Sequence, residues 1–300
     1  MEFIKKNLLT LESIDLIKKV IVVNNGCNYD LNKKIKRFTK CFLVNLKENS
    51  GSAKGYSYGI KTYLKLKNSQ KNNTNEWVLF LDDDNFIKEI NKGALIKLLS
   101  TENREKQAYF CRRISRNDYY DNYQPVKYNT FLGFNFFKSK PINKIKTLEL
   151  LPYSGMLLTK EIIEKIGLPN EDFYLYCDDY EYSFRLAKNK ISVSLLDSCI
   201  IEDMEISWNK KEGNFAISVV TGDPLKVYYS VRNRVYFEKQ CMVSNYFIFM
   251  SNAVLFILYL IYKNIKSGTR IKFKSLYALL LGLYDGLRGR LGVNKKFILK

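Results

Sequence analysis

The sequence predicts an α/β fold, on three observations. From the N-terminus to about residue 205, short apolar runs of strand length alternate with segments of helical periodicity. One such run, Trp77-Val78-Leu79-Phe80-Leu81, is bounded by polar segments and fits a strand buried on both faces, as in the middle of a parallel sheet. Three carboxylates, Asp82, Asp83 and Asp84, follow it at once. The carboxyl ends of strands are where open α/β sheets bind their ligands.

Taken in order, residues 1–19 read as an amphipathic helix, with Phe3, Ile4, Leu8, Leu9, Leu11, Ile14 and Ile17 set among charges. Val20-Ile21-Val22-Val23 is β-branched and predicts a strand that ends in the turn Asn24-Asn25-Gly26. Phe42-Leu43-Val44 predicts a second strand. The stretch from Asn49 to Gly59 carries Gly51, Ala53 and Gly55 into a helix that runs to about Leu66. Small residues at a helix mouth let a ligand approach the backbone, and the helix N-terminus favours anions; a flexible glycine-rich connection is the other reading. After a polar linker, Lys67 to Glu76, comes the strand that delivers Asp82–Asp84. These acids are either a divalent-metal site or an acidic turn capping a helix from about Glu89 to Leu99.

Gln107 to Ile114 predicts a strand. Asp118 to Lys146 reads as a long loop suited to acceptor recognition, whose Phe131, Phe134, Phe136 and Phe137 also fit a satellite core. Tyr153 to Leu158 is strand-like, and Lys160 to Ile166 is helical up to Gly167 and Pro169. Phe173 to Cys177 reads as a strand running into Asp178-Asp179, where a helix begins. Acids in a first helical turn are favoured by the macrodipole alone. On that helix Asp178 and Glu181 share a face, as do Glu181 and Arg185, which leaves Asp179 for another task. Ile191–Leu196 and Cys199–Ile201 predict two strands ending at Glu202-Asp203.

Asp223 to Gln240 is helical. Tyr246 to Tyr262 is a run of 17 residues without charge, followed by Lys263, Lys266, Arg270, Lys272 and Lys274, and Leu276 to Leu283 is apolar again. Apolar helices beside a lysine-rich segment fit a protein lying on an anionic membrane face, or else the buried helices of a small bundle. The expected organisation is a catalytic domain over 1–205 and a helical region over 206–300.

Composition narrows the chemistry. The chain has 300 residues, a net charge of +19, and 22 Tyr and 19 Phe, ample for a core. The charge calls for a polyanionic partner, and scattered lysines without a recognition motif argue against nucleic acid. Six cysteines are spread without a CxxC pair, which reads as reduced thiols. Histidine is absent, which excludes Ser-His and Cys-His catalysis and imidazole metal sites. Carboxylates, a lysine, a tyrosine or a bound metal must carry any chemistry.

Together these pieces resemble the family-2 glycosyltransferases of the GT-A fold, in the branch of bacterial rhamnosyl- and galactofuranosyltransferases. The likeness rests on ordered motifs: Asn49-x-Gly51-x-Ala53-x-Gly55 through Gly59, WVLFLDDD, Gly167-Leu168-Pro169 followed by FYLYCDDYEYSFR, YYSVRNRVYF, and DGLRGRLG. The resemblance implies a nucleotide-sugar donor (UDP- or dTDP-linked) and inversion at the anomeric carbon. It implies a lipid-linked or polysaccharide acceptor at the cytoplasmic face of a bacterial plasma membrane. It also implies manganese or magnesium held by Asp82 and Asp84. Asp179 would be the general base, with Asp178 and Glu181 positioning the acceptor. Asn24, Asn49, Gly51, Gly55, Asp83, Arg232 and Asn233 would line the donor, with Arg232 and Asn233 near its phosphates. A second copy of the chain is a further expected partner.

The sequence departs from the pattern in three places. Where the family usually has a histidine as third metal ligand this chain reads Glu202-Asp203, which makes Asp203, or else Glu202, the expected ligand. The base-binding turn reads Val23-Asn24-Asn25, in which Asn24 can still pair with uracil or thymine. The sequence opens inside what the family pattern expects as its first helix, which a misplaced gene start, a truncation or the loss of the family's first strand would each explain. The alternative function is a catalytically impaired remnant that binds a sugar nucleotide or a partner.

Overall fold

The computed structural model describes residues 2–68, 76–100, 104–114, 127–137, 150–204, 215–268 and 270–299. They fall into two compact units. One lies within Met1–Gln124, Thr147–Asn170 and Asp179–Glu205, the other within Pro125–Lys146, Glu171–Asp178 and Ile206–Lys300.

The first unit opens with α1 (Glu2–Ser13), β1 (Val20–Asn25), α2 (Leu31–Ile35), β2 (Cys41–Leu46) and α3 (Gly51–Asn68). It continues with β3 (Trp77–Leu79), β4 (Asn85–Ile90), α4 (Lys92–Leu99), β5 (Gln107–Arg113), β6 (Met156–Thr159) and α5 (Lys160–Ile166). It closes with α6 (Asp178–Lys188), whose first residue falls at the unit boundary, and β7 (Ser192–Asp203). β1 and β2 form a parallel pair from Val20↔Cys41 to Asn25↔Leu46. The other strands form a mixed sheet in the order β3-β6-β5-β7-β4, in which β5–β7 is parallel and the remaining pairs are antiparallel.

This order corrects the expected setting of the Trp77 strand. β3 is short, stands at the end of the sheet and pairs antiparallel with β6; it is not a central parallel strand. Its apolar side chains are only half-buried. The acids that follow cap no helix either. The chain enters β4, which pairs with β7 at the opposite end of the sheet, and the helix starts only at Lys92 with Asn91 as its N-cap. A run of strand length cannot show from sequence which neighbour it will take, and Ile87 and Ile90 suit either period.

β5 shows why the sheet is the core of this unit. Tyr109 and Cys111 face a cluster built with Leu8, Leu11, Ile14, Leu157 and Ile201. Ala108 and Phe110, one residue out of step, face another built with Ile60, Met156, Ile162, Tyr182 and Leu186. The period of two thus buries both faces, against α1 on one and α3, α5 and α6 on the other. The two predicted late strands are one continuous strand, β7, with an irregularity between its pairings Cys111↔Leu196 and Arg112↔Ile200.

The second unit contains α7 (Phe215–Thr221), α8 (Pro224–Cys241), α9 (Tyr246–Ser267) and α10 (Phe273–Arg288). α8 is capped by Asp223, whose carboxylate accepts from Leu225 and Lys226 N–H. Residues on all its faces are buried, including Val227, Tyr229, Val231, Val235 and Phe237. α10 packs closely on it through Gly282 and Gly286. A Cβ at these positions would come within 2.9 Å of Tyr228 O and 2.5 Å of Arg232 O. Phe131 and Phe134 join this core against Phe249 and Phe256, as the satellite-core reading expected, while Phe136 and Phe137 stay exposed. The rest of the expected loop, 118–126 and 138–146, lies outside the described residues. Phe173 to Cys177 is not the expected strand. After a 3-10 turn at Glu171–Phe173, Tyr174, Tyr176 and Cys177 adopt φ of 64°, 66° and 62°. Among the described residues no disulfide is formed.

Candidate active site

Because β3 and β4 stand at opposite ends of the sheet, Phe80 to Asp84 must cross the strand ends between them. The hydrogen bonds mark the path. Asp82 N–H donates to Ser154 Oγ, just before β6, at 3.3 Å. Met204 N–H, just after β7, donates to Asp84 O at 2.8 Å. Asn7 of α1 donates to the carbonyls of Asp82 and Asn85. Beneath the turn Arg113, at the end of β5, pairs with Asp203 at the end of β7, and Asn85 donates to the same carboxylate at 2.7 Å. Arg113 also reaches Ser154 O at 3.3 Å and Asn85 Oδ1 at 3.4 Å. Four strand ends are thereby tied around one acidic turn.

The turn is electrostatically crowded. Burial and then repulsion from Asp82, Asp83 and Asp203 push the Asp84 carboxyl from its ordinary 3.8 up to about 6, with Arg113 opposing. Burial raises Asp82 as well, against the hydroxyl of Tyr56, which donates to Asp82 Oδ1 at 2.6 Å, and against Arg113. Asp83 is exposed. Among the described residues no three His, Cys, Asp or Glu side chains gather as a ready-made metal cage. One or two carboxylates on a crowded turn, completed by substrate phosphates, are a usual donor set for magnesium. Asp82 and Asp84 fit that set. Asp203 is engaged by Arg113 and Asn85.

An aromatic stack links this turn to the second acidic cluster. Tyr56 stacks on Tyr153 with ring centroids 4.0 Å apart, and Tyr153 lies 5.7 Å from Tyr182 on α6. At the start of α6, Asp179 Oδ1 accepts from Tyr180 N–H at 2.8 Å. Glu181 makes a two-pronged pair with Arg185 at 2.8 and 2.7 Å, as its helical spacing predicts. Arg185 reaches the carbonyls of Ile166 and Leu168 at 3.1 and 2.7 Å. The Gly167-Leu168-Pro169 turn and the acidic helix are thus one construction, with Glu181 at its hinge.

The glycine-rich entry to α3 is equally built. Asn25 of β1 donates to Gly51 O and accepts from Ser50 N–H, both at 2.9 Å. Gly51 N–H donates to Asn49 Oδ1 at 3.2 Å. Gly26 has φ of 78°, and a Cβ there would lie 2.3 Å from Asn49 N, so no other residue fits. Gly55 lies against the Asn25 amide, 3.5 Å from its would-be Cβ. Asn24 donates to Asn45 Oδ1 and accepts from Cys27 N–H, both at 2.9 Å, so its amide shapes the turn.

In the second unit, Arg232 and Asn233 are 1% and 0% exposed. Asn233 donates to the carbonyls of Phe173, Leu175 and Tyr176, each at 2.8 Å. Arg232 donates to Phe173 O at 3.0 Å and to Gly292 O at 2.5 Å. Expected near donor phosphates, these donors instead hold the left-handed turn that leads to the buried Asp178. Sequence reading missed Tyr56, Arg113, Ser154, Asn85 and Asn7. Arg113 carried one available signal, a charge placed at the end of an apolar strand.

No family model matches the chain. It is 26% identical over 222 residues to the dTDP-rhamnosyl transferase RfbF of Shigella flexneri, covering 71% of this chain and 68% of that protein. Among solved structures, the GalNAc-T7 complex with UDP, GalNAc and Mn2+ superposes with a TM-score of 0.51 at 10% identity, over 79% of this chain and 46% of that one. S. aureus TarS matches with a TM-score of 0.43 at 16% identity, over 77% of this chain and 41% of that one. The chain therefore spans less than half the length of either of these two structures. The chain thus has the fold of the GalNAc-T7 structure and is similar in sequence to a bacterial rhamnosyltransferase.

Proposed function

We propose that this protein transfers a rhamnosyl or galactofuranosyl unit from a dTDP- or UDP-sugar to a lipid-linked or growing surface polysaccharide, with inversion at the anomeric carbon. The acidic turn carries this reading. Asp84 is held in a place where burial and three neighbouring carboxylates work against its charge, a cost that a bound cation offsets. In this proposal Asp82 and Asp84 hold manganese or magnesium, and Asp83 contacts the donor from the exposed tip of the turn. When bound, the metal neutralises charge on the departing nucleoside diphosphate. Asp203 serves indirectly, fixing the turn through Arg113 and Asn85.

Asp179 is the proposed general base. Its carboxylate accepts from the N–H of Tyr180 at the start of α6, and in this proposal it takes the acceptor's hydroxyl proton as the sugar is attacked. Glu181 and Asp178 position the acceptor through the helix start they stabilise. The N-terminus of α3 directs its dipole toward phosphate, and Asn49, Gly51 and Gly55 shape that entry for the donor. Asn24 and the turn it shapes are the proposed seat of the base.

Support for rhamnose comes from the name of the Shigella relative; support for galactofuranose comes from the motif resemblance alone. Calorimetry with dTDP-rhamnose and UDP-galactofuranose, each with manganese and with EDTA, tests the reading. Binding of one donor that depends on manganese is the expected result. Binding of neither donor rejects it.

A further inference from the structure

We propose that α9 and α10 dock the second unit in the plane of an anionic membrane, as a peripheral surface and not a span. The inference deepens the membrane-side reading above and rests on it. α9 has two apolar stripes. Phe249, Ala253, Phe256 and Leu260 face the core of the unit. The opposite stripe, Phe247, Val254, Ile257, Leu258, Ile261 and Ile265, is exposed, to 79% at Phe247 and 77% at Ile265. A helix on the surface of a water-soluble domain turns charge outward, and this one does not. α10 repeats the pattern. Ala278, Leu279 and Gly282 face inward, while Phe273 is 83% exposed and Tyr277, Leu280 and Tyr284 are exposed with it.

Charge identifies the occupant. Between Glu238 and Asp285 the sequence has no acidic residue. Lys263, Lys266, Arg270, Lys272 and Lys274 all lie where α9 ends and α10 begins. Two of these ammonium groups sit over aromatic rings of α9, Lys263 over Tyr259 and Lys266 over Tyr262. At the start of α10 is a cleft of about 490 Å³, whose lining includes Asp223, Phe273, Tyr277, Ile298, Lys274 and Lys296. The Asp223 carboxylate is taken up by the N–H groups of Leu225 and Lys226, and the two ammonium groups with the apolar walls suit a phosphate headgroup and the start of its acyl chain. A second protein copy would place this lysine-rich stretch, without acids between Glu238 and Asp285, against itself.

The helix has the length and composition to cross a bilayer, but its inner stripe is bonded to polar backbone. Asn252, midway along α9, donates to Asn129 O at 2.7 Å and accepts from Phe136 N–H at 3.0 Å. The same core holds the buried Glu238, which accepts from Leu132 and Gly133 N–H and from Arg234. A span would carry these groups into hydrocarbon. Lying in the interface leaves them in place and immerses only the outer stripe.

Flotation of the full chain with vesicles of phosphatidylcholine, with and without phosphatidylglycerol, tests the proposal. Binding should require phosphatidylglycerol and be released by alkaline carbonate. Ile257→Glu with Ile261→Glu should abolish it. Lys272→Ala and Lys274→Ala should each weaken it roughly fivefold. Lys190→Ala, in the first unit, should leave it unchanged. Light scattering of the same samples reports the oligomeric state. Binding that ignores phosphatidylglycerol, retention in carbonate, or an outer-stripe variant that only converts a dimer to a monomer overturns the proposal. Donor calorimetry without vesicles is read separately, so loss of the transferase reading and loss of membrane docking give different results.

Discussion

Replacing Asp84 by asparagine should stabilise the metal-free protein and remove its response to manganese. In the folded chain the Asp84 carboxyl titrates at about 6 against an ordinary 3.8, because burial and the charges of Asp82, Asp83 and Asp203 disfavour its ionised form. An acid whose folded value is raised favours folding at low pH and loses that contribution as the pH rises from about 4 to about 6. Above that window the charged group works against the fold. At about 1.4 kcal/mol per tenfold change in proton affinity, the difference amounts to about 3 kcal/mol, reduced to about 1–2 kcal/mol by solvent screening at a partly exposed site. Urea denaturation at pH 8 in EDTA should therefore find Asp84→Asn more stable than the parent by about 1–2 kcal/mol, and the gain should vanish near pH 4. Manganese should raise the parent's denaturation midpoint and leave the variant's unchanged. A variant less stable than the parent at pH 8, or a gain independent of pH, would refute the electrostatic account of the turn.

Arg113→Met should cost about 3–5 kcal/mol in urea denaturation, because it strands the buried Asp203 carboxylate. Adding Asp203→Leu to that variant should recover most of the loss, and no recovery would mean that Arg113 acts by packing alone. Gly286→Ala should cost about 1–3 kcal/mol or more, since its Cβ would meet Arg232 O at 2.5 Å and Val235 Cβ at 3.0 Å. A thermal midpoint equal to the parent's would show that α8 and α10 can move apart freely.

The elements most legible in the sequence were those fixed by local rules. α5 ends at the expected Gly167, whose φ of 77° closes the helix. α8 falls on the helical pattern expected from Asp223 to Gln240, and the pairing of Glu181 with Arg185 followed from helical spacing. What sequence could not supply was partner choice. Trp77–Leu79 and Asn85–Ile90 are adjacent in the chain but take opposite ends of the sheet, and only that separation draws the acids across the strand ends. The turn before Asp178 resisted reading for another reason. Three non-glycine residues hold positive φ there, with carbonyls bonded by Asn233 and Arg232 from about 60 residues away. Tyr56 looked like part of a small-residue helix entry, yet its hydroxyl lies on Asp82. The acidic motifs themselves were legible because carboxylates ending apolar runs are costly wherever they fall.

The most direct measurement of the central claim is release of nucleoside diphosphate from dTDP-rhamnose and UDP-galactofuranose, with solubilised bacterial envelope lipids as acceptor. It compares the parent with Asp179→Asn, in manganese and in EDTA. The account predicts turnover of one donor by the parent only in manganese, with Asp179→Asn slower by about a hundredfold or more at unchanged donor affinity. Equal turnover by Asp179→Asn, or donor binding without turnover by the parent, would contradict it.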